Sequence, residues 1–391
     1  MEGALQGVRV LDSTTVLNGP YCGGILGQLG AEVIKIEPPG GEILRRVGPY
    51  IDGRSYYFML TNTNKKFITL NLKHEKGRRI LYDLAKKSDV FLENYSPGSM
   101  ERLGAGYEAL KRVNPRIIYA SSTGYGYTGP YKDLPAYDFI LQAMSGAMGF
   151  TGFPENPPTM AKVWFVDLGA ALTTATAITS ALYYREKTGK GQRIDIAMYD
   201  VAISFVHTWI AMALTAGRAP PRIGNRDPLG APCNTYKAKD GYLYIMGLRW
   251  ERFLKTIGRE DLIGDPRYRT TEDRIARQDE LDPIIQGWVE TKTVEEVFEA
   301  MRKADIPCAK VRSVDEVVDD PQTLAREMMV ELEHPVVGKV KAVGSPLKLS
   351  ETPGRVTRIG HPPGYDNEGV YGRILGYSKD ELLKLREEGV I

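Results

Sequence analysis

Gly7-Val-Arg-Val-Leu-Asp12, then Gly19 to Leu29, then Ala31-Glu-Val-Ile-Lys-Ile-Glu37 is the stretch that decides the fold. The outer pieces are short apolar runs bounded by turn residues, as in strands buried on both faces, and the middle piece joins a Gly-rich turn to a helical stretch. Strand, turn, helix and strand in that order make a βαβ unit. Further apolar runs at Asp89-Val-Phe-Leu-Glu93 and Arg116-Ile-Ile-Tyr-Ala120 are separated by helical stretches such as residues 74–87. That alternation is the pattern of a doubly wound parallel sheet, so the expected class is α/β.

Such a unit raises the question of a dinucleotide, because Glu37 ends the second strand where a ribose-binding acid would sit. The glycine spacing answers it. Gly19-Pro-Tyr-Cys-Gly-Gly24 is not G-x-G-x-x-G, and Pro20 removes a backbone donor near the turn. No Walker A sequence occurs either. What remains is a Rossmann-like shell without the cofactor fingerprint.

At 391 residues the chain has room for two lobes. After Ala216 the composition changes, and Gly217-Arg-Ala-Pro-Pro-Arg-Ile-Gly-Asn-Arg-Asp-Pro-Leu-Gly-Ala-Pro232 is too rich in Pro and Gly to be regular. Beyond it lie a strand, Gly241-Tyr-Leu-Tyr-Ile-Met246, and charged helices around residues 250–257, 272–291 and 293–304. The expected division is a large Rossmann-like domain of residues 1–219 and 326–391, built from both chain ends, and a small α+β domain of residues 220–325.

Lys and Arg number 51 against 49 Asp and Glu, so the net charge of +2 argues against nucleic acid or an anionic membrane as the main partner. Any anionic ligand must be met by local charges. The N-terminal sequence lacks a basic start followed by an apolar h-region, and no uninterrupted apolar span reaches bilayer length, so a cytoplasmic protein is expected. Cys22, Cys233, Cys308 and four separated histidines offer neither a disulfide framework nor metal-ligand spacing, and no metal is expected.

Val163-Trp-Phe-Val-Asp167-Leu-Gly169 places one carboxylate just before an Ala/Thr/Leu-rich helical segment, Ala170 to Arg185. Such a carboxylate is either a helix cap, accepting orphan backbone N–H bonds, or a nucleophile. The local sequence leaves both open.

Several further stretches accompany it: Leu11-Asp-Ser-Thr-Thr-Val-Leu-Asn-Gly-Pro20, Gly30-Ala-Glu-Val-Ile-Lys-Ile-Glu-Pro38, Asn62-Thr-Asn-Lys65, Glu93-Asn-Tyr-Ser-Pro-Gly98, Tyr137-Asp138 and Gly189-Lys-Gly-Gln192. Later landmarks are Asp265-Pro-Arg267, Ala304-Asp-Ile-Pro307 and Lys348-Leu-Ser350. With these the chain, over nearly its whole length, strongly resembles the class III coenzyme A transferases. The resemblance implies an enzyme that moves CoA from an acyl-CoA thioester to a carboxylic acid, through an aspartyl acyl anhydride and an enzyme–CoA thioester at Asp167. It implies no permanently bound cofactor, CoA and acyl-CoA as substrates beside a small acid, and an interlocked homodimer. Matching positions assign Leu17, Asn18, Leu70, Lys73, Asn94, Tyr95 and Arg102 to the CoA site and place Tyr137 beside the thioester. Lys73 and Arg102 suit phosphates. Backbone N–H groups of Leu168 or Gly169, at the start of the helix, would meet the tetrahedral oxyanion.

Relatives often carry a longer Gly-rich flap where this chain has residues 223–230, here shorter and more charged, so the segment is either a lid or a plain interdomain linker. The same superfamily contains 2-methylacyl-CoA racemases (epimerases). They carry His-Asp where this chain reads Tyr137-Asp138, and an acidic residue where it has Arg249 or Trp250, with Glu251 close by. Two-base chemistry needs groups that titrate near neutrality, and Tyr, at about 10, is a poor replacement for His. A third reading is a CoA-binding protein without turnover; the presence of Asp167 speaks against it.

Overall fold

Arg9–Asp12 forms a strand, β1, whose alternating side chains send Val10 to one face and Leu11 to the other, both fully buried. It leads into helix α1 (Asn18–Gln28) and returns as β2 (Glu32–Glu37), parallel to β1 with Val10 beside Val33. The computed structural model describes residues 3–391. The pattern continues through β3 (Lys65–Thr69), α2 (Glu75–Lys86), β4 (Val90–Glu93), β5 (Ile118–Thr123), α3 (Asp138–Met144), α4 (Phe165–Thr188), β6 (Arg193–Ala197) and α5 (Met198–Phe205). The six strands are all parallel and lie in the order β3-β2-β1-β4-β5-β6. Strand order therefore reverses between β1 and β4, and the crevice beyond their carboxyl ends is where open α/β sheets bind ligands.

Both sheet faces are covered. Val10, Val33, Val90 and Ile118 pack against Cys22 and Leu26 of α1 and Ala171, Ala175 and Ile178 of α4. Leu11, Ile34, Phe91 and Tyr119 pack against Ile80, Leu81 and Leu84 of α2 and against Tyr371, Ile374 and Leu385 from the chain's end. That last segment also blocks the open edge of β3: Asp366 accepts from the Phe67 N–H at 2.7 Å, and Asn367 accepts from the Thr69 N–H at 3.0 Å.

The glycines after β1 do not form the turn the sequence suggests; the helix already begins at Asn18. Their reason is close approach. Asp12 and Lys65 form a buried ion pair directly beneath α1, and a methyl group at Gly23 would overlap the Asp12 carboxylate.

The chain groups into two units, one comprising residues up to Gly146 with Ala161–Thr208 and Pro321–Ile391, the other Ala147–Met160 with Trp209–Asp320. Against the boundaries expected at 220 and 325, the second unit takes in residues 147–160 and 209–219 and gives up 321–325. The contacts explain why: the Phe150 and Trp209 rings stack at 4.1 Å, and Gly224 N–H donates to Gly152 O at 3.0 Å. Within this unit the strands Cys233–Lys237, Tyr242–Met246 and Cys308–Lys310 make an antiparallel sheet over a core that includes Phe253, Leu281, Ile285 and Val297. Residues 223–230 are anchored in it, because Arg226 bridges Asp279 and Asp282 at 2.7 and 2.8 Å.

One helix, Phe165–Thr188, is long and apolar enough to cross a membrane by length and composition, contrary to the expectation that no such span exists. Its threonines bond back to their own helix, as Thr173 does to Gly169 O at 2.8 Å and Thr174 to Ala170 O at 2.7 Å. Its buried side packs on the sheet and α1.

Candidate active site

The carboxyl ends of β1, β4 and β5 and the loops that leave them converge on one cleft of about 260 Å³, at the reversal of strand order. Thr15 to Leu17 come from the first loop and Asn18 from the start of α1, Asn94 to Pro97 from the second loop, and Ser122 to Gly124 from the end of β5, with Tyr137 and Asp167 completing the wall. Asn94 ties the first two loops together. Its carboxamide accepts from Thr15 N–H and donates to Thr15 O and Asn18 Oδ1, all at 2.8 Å. This clamp holds Val16 at a φ of 65°, a left-handed conformation that a β-branched residue adopts only where its surroundings enforce it, at a cost of about 1–3 kcal/mol.

Asp167 lies in the first turn of α4, where a different carboxylate takes the cap. The N-cap position is Trp164, without a side-chain cap. Asp138, 2% exposed at the start of α3, reaches across with Oδ2 to accept from the N–H groups of Val166 and Asp167 at 2.9 and 3.0 Å. Its other oxygen accepts from Gln142 Nε2 at 2.6 Å. The capping is done by Asp138, and the Asp167 carboxylate forms no hydrogen bond or ion pair among the described residues. Burial, and then the charge of Asp138, push its pKa up to about 7.

Six of the residues expected at the site line this cleft: Leu17, Asn18, Asn94, Tyr95, Tyr137 and Asp167. Tyr137 stands at the mouth, 69% exposed. Three more of the residues expected to hold CoA lie outside the lining. Leu70 is buried in the core beneath α2, Lys73 is exposed, and Arg102 is exposed one helical turn beyond Gly98, whose O accepts from the Arg102 N–H at 3.1 Å.

The oxyanion donors expected at Leu168 and Gly169 are not free. Leu168 N–H donates to Trp164 O at 3.0 Å, and Gly169 lies inside the helical ladder. The glycine serves packing: a methyl there would strike the Phe205 ring of α5. With Val166 and Asp167 N–H given to Asp138, the start of α4 has no open donor for a ligand.

Three contributors escaped sequence reasoning. Asp138 was visible only as half of a dipeptide. Tyr57 stacks on Trp164 with ring centroids 5.9 Å apart, and burial, followed by the charges of Asp167, Asp138 and Glu42, pushes its hydroxyl up to about 12. Lys132 is the cation lining the cleft. In the second unit, Arg249 is paired with Asp305, Trp250 packs on Phe253 and Tyr268, and Glu251 is exposed in the first turn of its helix.

A parallel-sheet crevice with one uncompensated aspartate is a site built for a ligand and a reactive group, and comparison with known proteins supplies the class. Residues 5–367 match CoA-transferase family III. The formyl-CoA:oxalate CoA-transferase of Streptomyces avermitilis is 37% identical over 415 aligned positions, covering 100% of both chains. The acetyl-CoA:oxalate CoA-transferase of Acetobacter aceti is 41% identical over 354, covering 89% of this chain and 90% of its own. A CaiB/BaiF family protein from Brucella suis superposes with a TM-score of 0.86 at 31% identity, covering 96% of this chain and 100% of that one. The chain belongs to CoA-transferase family III and is an enzyme of the CoA-transferase class.

Proposed function

We propose that Asp167 carries the acyl group and then CoA. Its carboxylate oxygen attacks the acyl-CoA carbonyl, the C–S bond breaks, and CoA leaves as thiolate from an aspartyl acyl anhydride. The thiolate attacks the Asp167 carbonyl, releasing the donor acid as carboxylate and leaving an enzyme–CoA thioester. The acceptor carboxylate displaces that thiolate to form a second anhydride. Return of the thiolate to the acceptor's carbonyl gives the product thioester and restores Asp167.

The observation carrying this reading is a carboxylate at the cleft with no partner and a pKa pushed up to about 7 by burial and Asp138. A more basic carboxylate is a stronger nucleophile, and acylation removes the charge that Asp138 repels. Among the described residues no histidine lines the cleft, and Tyr137 is exposed, which favours transfer over two-base racemisation. Relatives named for oxalate as acceptor make a small carboxylic acid, oxalate first, the acceptor class to assay. We assign Leu17, Asn18, Asn94 and Tyr95 to the inner part of the CoA molecule. Lys132, Lys73 and Arg102 meet its phosphates, and Leu70 shapes the floor from the core.

Hydroxylamine added during turnover should trap a hydroxamate at Asp167, adding mass to that peptide alone. Acid-dependent exchange of labelled CoA without any trapped Asp167 peptide would refute the covalent route.

A homodimer completes the proposal. The helix His207–Ala216 is largely apolar yet buries none of its residues, with Leu214 79% exposed, and α4 leaves Leu172 and Tyr183 exposed. Light scattering should give twice the chain mass; a stable monomer at micromolar concentration would reject it.

A further inference from the structure

Away from the cleft, a cavity of about 130 Å³ opens beside the turn that carries Arg54, the short helix Tyr56–Thr61 and the segment around His361. Its charged and titratable lining consists of Arg45, Arg54, His334 and His361, with no carboxylate among them. Phe58 and Met59 supply apolar walls.

Two of these four groups are already committed. Arg45 is bidentate to Glu37 at 2.9 and 2.7 Å and also donates to His361 O at 2.9 Å. His334 Nδ1 accepts from the Val336 and Val337 N–H groups at 3.2 and 3.1 Å, which puts the proton of the neutral ring on Nε2, on the side of the Gly360 backbone.

The other two are open. Arg54 forms no ion pair and no side-chain hydrogen bond among the described residues. His361 Nδ1 lies 2.6 Å from Arg358 Nη2. A guanidinium can only donate, so Nδ1 is the acceptor and the ring's single proton sits on Nε2. That Nε2–H is buried and has no partner. The ring stays neutral because burial, then Arg358 and His334, push its pKa down to about 3. A buried donor without an acceptor is costly, and here it shares a cavity with an unpaired guanidinium and no competing anion.

We propose that this cavity is a binding site for a small oxyanion, a carboxylate or a phosphate, held by the Arg54 guanidinium and the His361 Nε2–H. Both groups donate and neither accepts, so a cation or a ligand that can only donate finds no complement there, and an oxyanion satisfies both the charge and the donors. Arg45 adds positive potential from its place beside Glu37, and the walls of Phe58 and Met59 keep that potential from being screened. The site is independent of the acyl-transfer reading, since none of its residues lines the Asp167 cleft.

The test is isothermal titration calorimetry of the full chain with inorganic phosphate and, separately, with acetate, at constant ionic strength. Saturable binding of either ion is expected, with the tighter of the two identifying the source of the oxyanion. Arg54→Gln and His361→Phe should each weaken it by about tenfold or more. Lys132→Gln, which alters the cleft, should leave it unchanged. Arg54 sits on a partly exposed turn, so Arg54→Gln decides the matter even if His361→Phe does not fold. Absence of saturable binding by both ions, which would mean that water serves the His361 donor, overturns the proposal. So does undiminished binding by Arg54→Gln.

Discussion

Asp12 and Asp167 are both carboxylates withdrawn from water within the first unit, and the protein treats them in opposite ways. Asp12 is fully buried, with Lys65 Nζ at 2.7 Å, Lys35 Nζ at 3.8 Å and the Thr14 N–H at 3.0 Å. Burial alone would raise its pKa, but the two lysines outweigh it and hold the carboxyl below its ordinary value. Among the described residues no cation is set against the burial of Asp167, and the charge that acts on it is another carboxylate, Asp138. The first arrangement is scaffold: Lys35 also donates to Thr14 O at 2.5 Å, so the cluster fixes the start of the loop that walls the cleft. The second is chemistry, a charge left unsatisfied where it can react.

The sharpest way to break this contrast is to neutralise each side of it. Asp167→Asn keeps the shape and removes the nucleophile, and transfer should fall by about 10⁴-fold or more, equivalent to about 5 kcal/mol in the barrier. CoA affinity, measured by calorimetry, should change little. A near-normal rate, with deamidation excluded by mass spectrometry, would leave Asp167 without the role assigned to it.

Lys65→Met tests the other side. Burial, against the opposing pull of Asp12, lowers the Lys65 pKa to about 8, which still leaves the amine mostly charged at neutral pH. Removing it leaves the buried carboxylate with only the more distant Lys35, at 3.8 Å, as a cation and should cost about 3–5 kcal/mol in urea unfolding. Adding Asp12→Leu should recover part of that loss. A cost below about 1 kcal/mol would mean that the pair contributes nothing as an ion pair.

How much of this contrast the sequence showed depends on distance along the chain. The β1-α1-β2 unit was readable because strands buried on both faces leave continuous apolar runs such as Val33, Ile34 and Ile36. Asp167 stood out through its matching motif. Its environment did not, because Asp138 lies 29 positions away and meets it only once α3 and α4 are placed. The expectation of open donors at Leu168 and Gly169 followed from the default state of a helix start, which a side chain from another helix had already filled. Gly169 looked like room for a ligand and proved to be room for Phe205. The open His361 donor leaves no sequence signal at all, since which nitrogen holds the proton depends on where Arg358 points.

A smaller effect sharpens the comparison in stability terms. The raised pKa of Asp167 means that the folded state holds its proton more tightly than the unfolded chain does. Above pH about 7 the ionised carboxylate therefore destabilises the fold, and below about pH 4 both states are protonated and the penalty vanishes. Asp167→Asn should accordingly be more stable than the parent by about 1–3 kcal/mol at pH 8, the difference shrinking as pH falls and disappearing near pH 4. Parallel thermal unfolding of the two proteins across that range is the check. A variant less stable than its parent at pH 8 would show that Asp167 is held by favourable contacts after all.

Tyr137 should give the smallest effect and decides between transfer and racemisation. It sits at the cleft mouth, two-thirds exposed, and its hydroxyl makes no hydrogen bond among the described residues, so Tyr137→Phe removes little from the resting site. Its contribution is confined to what it adds once an acyl-CoA fills the cleft, and a hydrogen bond at an open mouth is worth about 0.5–1.5 kcal/mol. Transfer by the Phe variant should thus slow by about tenfold at most. A racemase would behave differently, because one of its two bases would have to stand here and its removal would stop exchange of the α-proton. Incubating the unaltered protein with a 2-methylacyl-CoA in deuterium oxide completes the test: α-deuterium should enter slowly or not at all, while CoA passes readily to an added acid. Rapid deuterium uptake that Tyr137→Phe abolishes, with no acid-dependent CoA exchange, would make the tyrosine a base and the protein a racemase.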